Sequence, residues 1–242
     1  VEPETYTFYE YILDEKDRDA RGLRAKNEEY FRGLMKDFKV RKSILARKDC
    51  YHLEHGVDAV LKGRFESLNR KNVTAFCKKY GVSENVFFLT AYNLSIGLFS
   101  NEKDTVSSSI HSGRTDSRWN RLAGPLFLTY FFRCTEEKDQ TVPELLKKNG
   151  KQIMDTMRCY ISNLHADEMF FQYQGDIVNL NTVGGYPAKR EHLQLDSLPF
   201  HLQVFTDDRG YYYELRYWEN RFDTLQLQNF MMPCRRKHWC AA

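Results

Sequence analysis

At 242 residues, 42% hydrophobic and 14% aromatic, the chain has ample material for a sizeable core, and length alone allows one large domain or two small ones. Its 36 basic side chains against 33 acidic ones leave a net charge of +3, which excludes the concentrated basic face of an extended nucleic-acid surface. No apolar run approaches the roughly 20 residues that cross a bilayer as a helix, and six cysteines without paired spacing read as reduced thiols of a cytoplasmic protein.

In chain order, Tyr6 to Arg18 places Tyr6, Tyr9, Ile12 and Leu13 at helical spacing amid charge, which predicts a surface helix. A second helix is expected over Lys26 to Phe38, and the basic run Lys39 to Lys48 reads as a solvated connector. Val57 to Phe65 reads as a strand. Asn72 to Tyr80 is an amphipathic helix stopped by Gly81. Ser83 can cap the next helix, whose Val86 to Phe99 stretch is apolar nearly all round and so should be the central packing helix.

Residues 105 to 133 organise the rest. Thr105 to Ile110 is β-branched or small throughout, as a strand covered on both faces tends to be. A Gly113-Arg114 turn and a polar crossing follow, then a second apolar strand over Leu122 to Phe132 with Arg133 at its end. Gly113 and Gly124 stand where the chain must turn sharply, and Arg114 and Arg133 stand where a guanidinium can grip a carboxylate with two prongs. Thr141-Val-Pro-Glu144 is a capping box opening a helix to about Ile161. Glu168 to Gln174 reads as a strand and Asn179 to Pro187 as a loop. Phe200 to Thr206 and Tyr211 to Trp218 read as strands joined by a hairpin turn at Asp207 to Gly210. Asp223 can cap a last helix through Phe230. Six strands interleaved with helices predict an α/β two-layer sandwich, a mixed sheet covered by helices. The opening at Val1 and the unsettled tail read as a chain cut at both ends.

Catalytic patterns are sparse. Acyl transfer is best served by a histidine base, and two of the seven histidines are candidates. His111 lies at a strand end beside Gly113-Arg114, and His192 has Asp196 four residues on. Each competes with the plainer reading of a structural histidine. Cys234, His238 and Cys240 match no tetrahedral zinc spacing, so no metal site is expected. Neither a Gly-x-Ser-x-Gly elbow nor a phosphate-binding glycine pattern occurs.

The order of motifs resembles that of the condensation domains of nonribosomal peptide synthetases. Asn72 to Tyr92, followed by the strand ending in Ser112-Gly113-Arg114, is similar to the family's helix pair and Gly-Arg turn. Gly124-Pro-Leu-Phe-Leu-Thr-Tyr-Phe-Phe-Arg133 resembles the family strand I-G-x-F-V-N-T-x-x-x-R, with Gly124, Thr129 and Arg133 in register and Leu128 where the family has asparagine. Tyr6 to Tyr11 looks like Y-x-D-Y-A-x-W, and Leu198 to Phe205, Tyr211 to Phe222 and Asp223 to Phe230 look like the closing strands and last helix. The family motif H-H-x-x-x-D-G would fall before Val1, and H-Q-x-x-P-F-E is at best echoed around His165.

The resemblance implies the C-terminal lobe, spanning 1–242, of a chloramphenicol-acetyltransferase-like domain. A complete domain joins a carrier-bound acyl or peptidyl thioester to an aminoacyl acceptor, gaining chiefly from holding the two in register. Its partners would be the N-terminal lobe and peptidyl carrier proteins with their phosphopantetheine arms, with no cofactor bound directly, no nucleic acid and no membrane. Arg114 would pair with the aspartate of the absent motif; without it, Arg114 should be solvated or borrow a carboxylate such as Asp116. Gly113, Gly124, Thr129 and Arg133 would support the site. The lobe alone is expected to be inactive; the alternatives are a stand-alone acyltransferase using His111 or His192 and a non-catalytic lobe that docks carrier proteins.

Overall fold

A computed structural model describes residues 6–39, 45–50, 56–114, 116–161, 169–175, 182–183, 186–187 and 198–235. Its centre is a six-stranded sheet in the order β1-β8-β7-β4-β2-β3. The strands are β1 (Asp58–Arg64), β2 (Asp104–His111), β3 (Leu128–Thr135), β4 (Phe170–Gly175), β7 (Phe200–Asp207) and β8 (Gly210–Trp218). Strands β2 and β4, and β4 and β7, run parallel, while the remaining neighbours are antiparallel, so the sheet is mixed. Within the stretch expected to be a loop, β5 (Thr182–Val183) and β6 (Tyr186–Pro187) pair as a two-stranded ribbon.

The helices are α1 (Phe8–Ala20), α2 (Leu23–Leu34), α3 (Arg70–Tyr80), α4 (Glu84–Ser100), α5 (Val142–Arg158) and α6 (Thr224–Arg235). Helix α4 is the central packing element, touching β2, β3 and β4 as well as α3, α5 and α6. Ser83 caps it as expected, its Oγ accepting the Val86 N–H at 3.2 Å. A helix this apolar survives burial only if its few polar side chains find partners. They do: Asn93 Nδ2 donates to the Leu89 carbonyl and, at 2.8 Å, to Ser107 Oγ of β2. Asn149 of α5 donates to Thr90 Oγ1 at 3.0 Å. Ser107, which breaks the apolar run of β2, is therefore where Asn93 of α4 grips the sheet.

At the edge strand β3, Arg133 makes four hydrogen bonds. Its Nε and Nη2 grip the two oxygens of Asp104 at 2.8 and 2.7 Å, and its Nη1 takes the carbonyls of Leu34 and Lys36 at 2.9 and 2.8 Å. The helix hairpin α1–α2 is thus hooked to the sheet through the open carbonyls at the end of α2. The Gln152 side chain pairs with both the N–H and the C=O of Arg133, closing the edge as a neighbouring strand would.

Three further expectations need correction. The second strand begins at Leu128 rather than Leu122, because the segment with Gly124 and Pro125 folds back as a turn. The helix α2 runs Leu23–Leu34 and does not extend to Phe38; Met35 caps it and Asp37 adopts a left-handed φ of 62°. The basic connector is not wholly solvated, since Leu45 is 1% exposed and Ala46 bridges to Phe222. The expected surface helix is present as α1, with none of its residues fully buried; Phe8 and Tyr11 pack inward, while Tyr9, Ile12 and Leu13 face outward. Among the described residues no helix is long and apolar enough to cross a membrane, and Cys50, Cys77, Cys134 and Cys159 are free thiols.

Lysine cannot reproduce the two-pronged grip and both carbonyl bonds. Arg133→Lys should therefore lower stability by about 2 kcal/mol, since hydrogen bonds to charged groups contribute roughly 1.5–3 kcal/mol each and lysine keeps some. Urea unfolding reads this as a lower midpoint at unchanged slope; an unchanged midpoint would show that the clamp is idle.

Candidate functional site

A groove of about 820 Å³ opens where the end of β2 meets α1 and the end of α5. Arg18, Arg21, Arg114, Arg118 and Arg158 line it together with Asp14, Asp17 and Asp116, over a floor that includes Trp119, Met157 and Tyr160. Five guanidinium groups and three carboxylates line it, and Glu15 and Asp155 stand beside Arg18 and Arg158 at 3.5 and 3.9 Å, so its walls are dense in arginine with most of the charge paired.

The turn carrying Arg114 is fixed with unusual tightness. Gly113 has φ +69°, and a Cβ built on it would lie 1.6 Å from the Leu126 carbonyl oxygen. Only glycine allows both the left-handed backbone and this approach. The Gly113 N–H donates to His111 Nδ1 at 3.0 Å, and the Arg114 N–H donates to Ser112 Oγ at 3.4 Å. The Arg114 side chain, half-buried, uses Nη1 on the Trp119 carbonyl. No carboxylate among the described residues reaches its guanidinium.

Asp116, the carboxylate expected to be borrowed, is occupied elsewhere. It caps the 3-10 turn Ser117–Trp119 by accepting the Arg118 N–H at 2.9 Å, and its Oδ2 takes Arg118 Nε and Nη2 at 3.1 and 2.8 Å. These side-chain bonds, then the backbone one, hold the Asp116 carboxyl below its ordinary pKa. Arg118 also reaches Asp14 at 3.2 Å and stacks over Tyr6, whose hydroxyl donates to Asp14. Arg21 pairs with Asp17, and Arg18 lies over the Tyr160 ring at 4.2 Å beside Glu15, whose carboxyl burial pushes up. Most of the arginines are thus already engaged, whereas Arg114 turns only one donor to a carbonyl and keeps the rest of its fork for the groove.

The structure gathers some of the expected residues and separates others. Gly113 and Arg114 form the groove wall. Gly124 supports it from behind, since a Cβ there would lie 2.6 Å from the Phe8 ring and push α1 away. Thr129 pairs with Ile110 one step into the sheet. Arg133 stands opposite Val106 near the far end of the same hairpin, so the two arginines serve different places. His111 touches the turn, but with Nδ1 accepting the Gly113 N–H its neutral ring carries the proton on Nε2, and neither nitrogen offers a base the lone pair it needs. His192, His165, His238 and Cys240 lie outside the described residues, as does the side chain of Cys234. Sequence reasoning missed Asp14, Arg118, Trp119 and Tyr160, which come from three separated segments. The only hint was the aromatic start of α1.

The sequence matches the Condensation domain family over residues 1–161. The chain belongs to the condensation domain family. Among solved structures, the epimerization domain from the third module of tyrocidine synthetase B superposes with a TM-score of 0.70 at 14% identity, covering 97% of this chain and 59% of that one. The EpoB NRPS cyclization-docking bidomain from Sorangium cellulosum gives 0.70 at 14%, covering 94% and 51%. The first condensation domain of the calcium-dependent antibiotic synthetase, in complex with a substrate analogue, gives 0.67 at 9%, covering 98% and 55%. No curated protein matches. The likeness establishes the chloramphenicol-acetyltransferase-like α/β fold of this condensation-family chain, which spans between 51% and 59% of the length of those three structures.

Gly113→Ala tests the tightness of the turn. The left-handed backbone alone costs alanine about 1–2 kcal/mol, and the encounter with the Leu126 carbonyl adds to it. Thermal unfolding should fall by the equivalent of at least about 2 kcal/mol, and a wild-type transition would mean the turn is free to move.

Proposed function

We propose that this chain is the C-terminal lobe of a nonribosomal peptide synthetase condensation domain, and that its groove seats a carboxylate-bearing loop of the complementary lobe. Arg114 carries this reading. It is aimed by a turn that tolerates only glycine, stands in an arginine-lined groove, and is met by no carboxylate of its own among the described residues. A buried or half-buried arginine held this way waits for a planar anion, which it grips with two parallel hydrogen bonds. The family resemblance names the anion: the aspartate of the H-H-x-x-x-D-G motif, which this chain lacks.

In the joined domain the pair would fix the loop that bears the reactive histidine, so this lobe contributes position rather than proton transfer. The complete site would hold two carrier-borne phosphopantetheine arms, one with an acyl or peptidyl thioester and one with an aminoacyl amine. The amine attacks the thioester carbonyl, the C–N bond forms, and the upstream thiol leaves with a proton. Holding both reactants in one tunnel makes this step effectively intramolecular. The groups described around the groove suit that division of labour. They are guanidiniums, capped carboxylates and a histidine whose lone pair is occupied.

The chain alone, supplied with loaded carrier proteins, should release no amide product by mass spectrometry, and adding an N-terminal lobe that carries H-H-x-x-x-D-G should restore product. Amide formed by the chain alone overturns the reading.

A further inference from the structure

The turn that aims Arg114 depends on a histidine that no base role explains. His111 ends β2 on the same face as Ser107 and Ser109, pointing toward the α4 side of the sheet. Its Nδ1 accepts the Gly113 N–H at 3.0 Å. The Leu126 carbonyl already occupies the space where a Cβ of Gly113 would stand, so the turn cannot close further on that side to replace a lost bond. The neighbouring Arg114 is tied on either side of its Cα, by Ser112 Oγ to its N–H and by the Trp119 carbonyl to its guanidinium. The imidazole acceptor is therefore the first link in a short chain that ends at the guanidinium.

We propose that His111 is the positioning residue of Arg114: its neutral ring locks the Gly113 turn, and protonation at Nδ1 sets two donors face to face, releases the turn and withdraws the arginine fork from the groove. Burial lowers the pKa of His111. The titratable group facing it is Tyr130 of β3, with ring centroids 5.8 Å apart, and burial keeps that phenol neutral. Arg114 is the charged group on its own turn, and burial is the sole cause of the shift. The sign follows. A histidine whose folded pKa lies below its unfolded value of about 6.5 keeps its full stabilising effect above that value, and the effect is lost as pH falls from there through the folded pKa. At neutral pH the groove is locked, and mild acid opens it.

The consequence for partner binding rests on the reading of the groove as a seat for a carboxylate, but the lock itself is a property of the free chain and is tested there. A pH titration of the isotope-labelled full chain, from neutral to about pH 5, follows the His111 ring, the Gly113 amide and the Arg114 Nε–H by NMR. All three should move with one midpoint, below about 6.5, with the Gly113 amide losing its protection from exchange. His111→Asn places an acceptor near the Nδ1 position, so it should hold both signals at their neutral-pH positions and abolish the midpoint. His111→Gln, which reaches toward Nε2 instead, should shift both at every pH. A His111 titration that leaves Gly113 and Arg114 unmoved overturns the proposal, as does a glutamine variant whose Gly113 amide stays in place; the wild-type titration decides even if a variant fails to fold.

Discussion

Among the described glycines the tightest constraint is the approach of Gly113 to the Leu126 carbonyl, where a β-carbon would have to sit 1.6 Å from an oxygen. That contact fastens the end of β2 to the turn before β3, and it sets the direction in which the chain leaves the sheet. Arg114 comes next, and the 3-10 turn Ser117–Trp119 follows, so the groove wall inherits its shape from one glycine. The backing of the wall obeys the same rule on a smaller scale, since Gly124 leaves space for the Phe8 ring and lets α1 lie against Trp119 and Leu122. Neither glycine takes part in chemistry. Both decide where an arginine can be.

Two arginines that look alike in the sequence do opposite work. Arg133 is satisfied on every side by Asp104 and two helix-end carbonyls, with Phe38 under its guanidinium at 5.5 Å, and it welds the α1–α2 hairpin to the sheet edge. Arg114 has one carbonyl. A guanidinium with four of its five donors engaged serves the structure; one with most donors in reserve in an arginine-lined groove is suited to recognition. The competition for Asp116 sharpens the contrast, because a capping role and a local arginine at 2.8 Å claim that carboxylate before Arg114 can.

Much of the fold was legible because its signals are local. Alternation and β-branching marked the six long strands, the capping box at Thr141 and Glu144 appears as drawn, and the apolar run from Val86 announced the buried α4. What escaped was long-range. Nothing local says that Tyr9, Ile12 and Leu13 face outward while Phe8 and Tyr11 face inward, because the choice depends on where Trp119 and Tyr160 lie. Nor does spacing say that β3 starts six residues late, since Leu126 is apolar yet serves the turn with its carbonyl. The site divided in the same way. Gly113 and Arg114 were visible as a dipeptide of a kind that makes turns, but the partners that surround them come from α1 and the end of α5, more than ninety residues away in places, and His111 showed its role only through the direction of one lone pair.

The central claim is that Arg114 waits for a carboxylate from a second lobe, and a charge-swap cycle addresses it most directly. Calorimetric titration would compare the chain and its Arg114→Asp variant, each against an N-terminal condensation lobe with its motif aspartate intact or changed to arginine. Each single swap should weaken association by about 2–5 kcal/mol, the usual cost of leaving one member of such a pair unmatched, and the double swap should recover much of the loss. Single swaps that bind like the unaltered pair, or a double swap no better than the sum of its parts, would contradict the account.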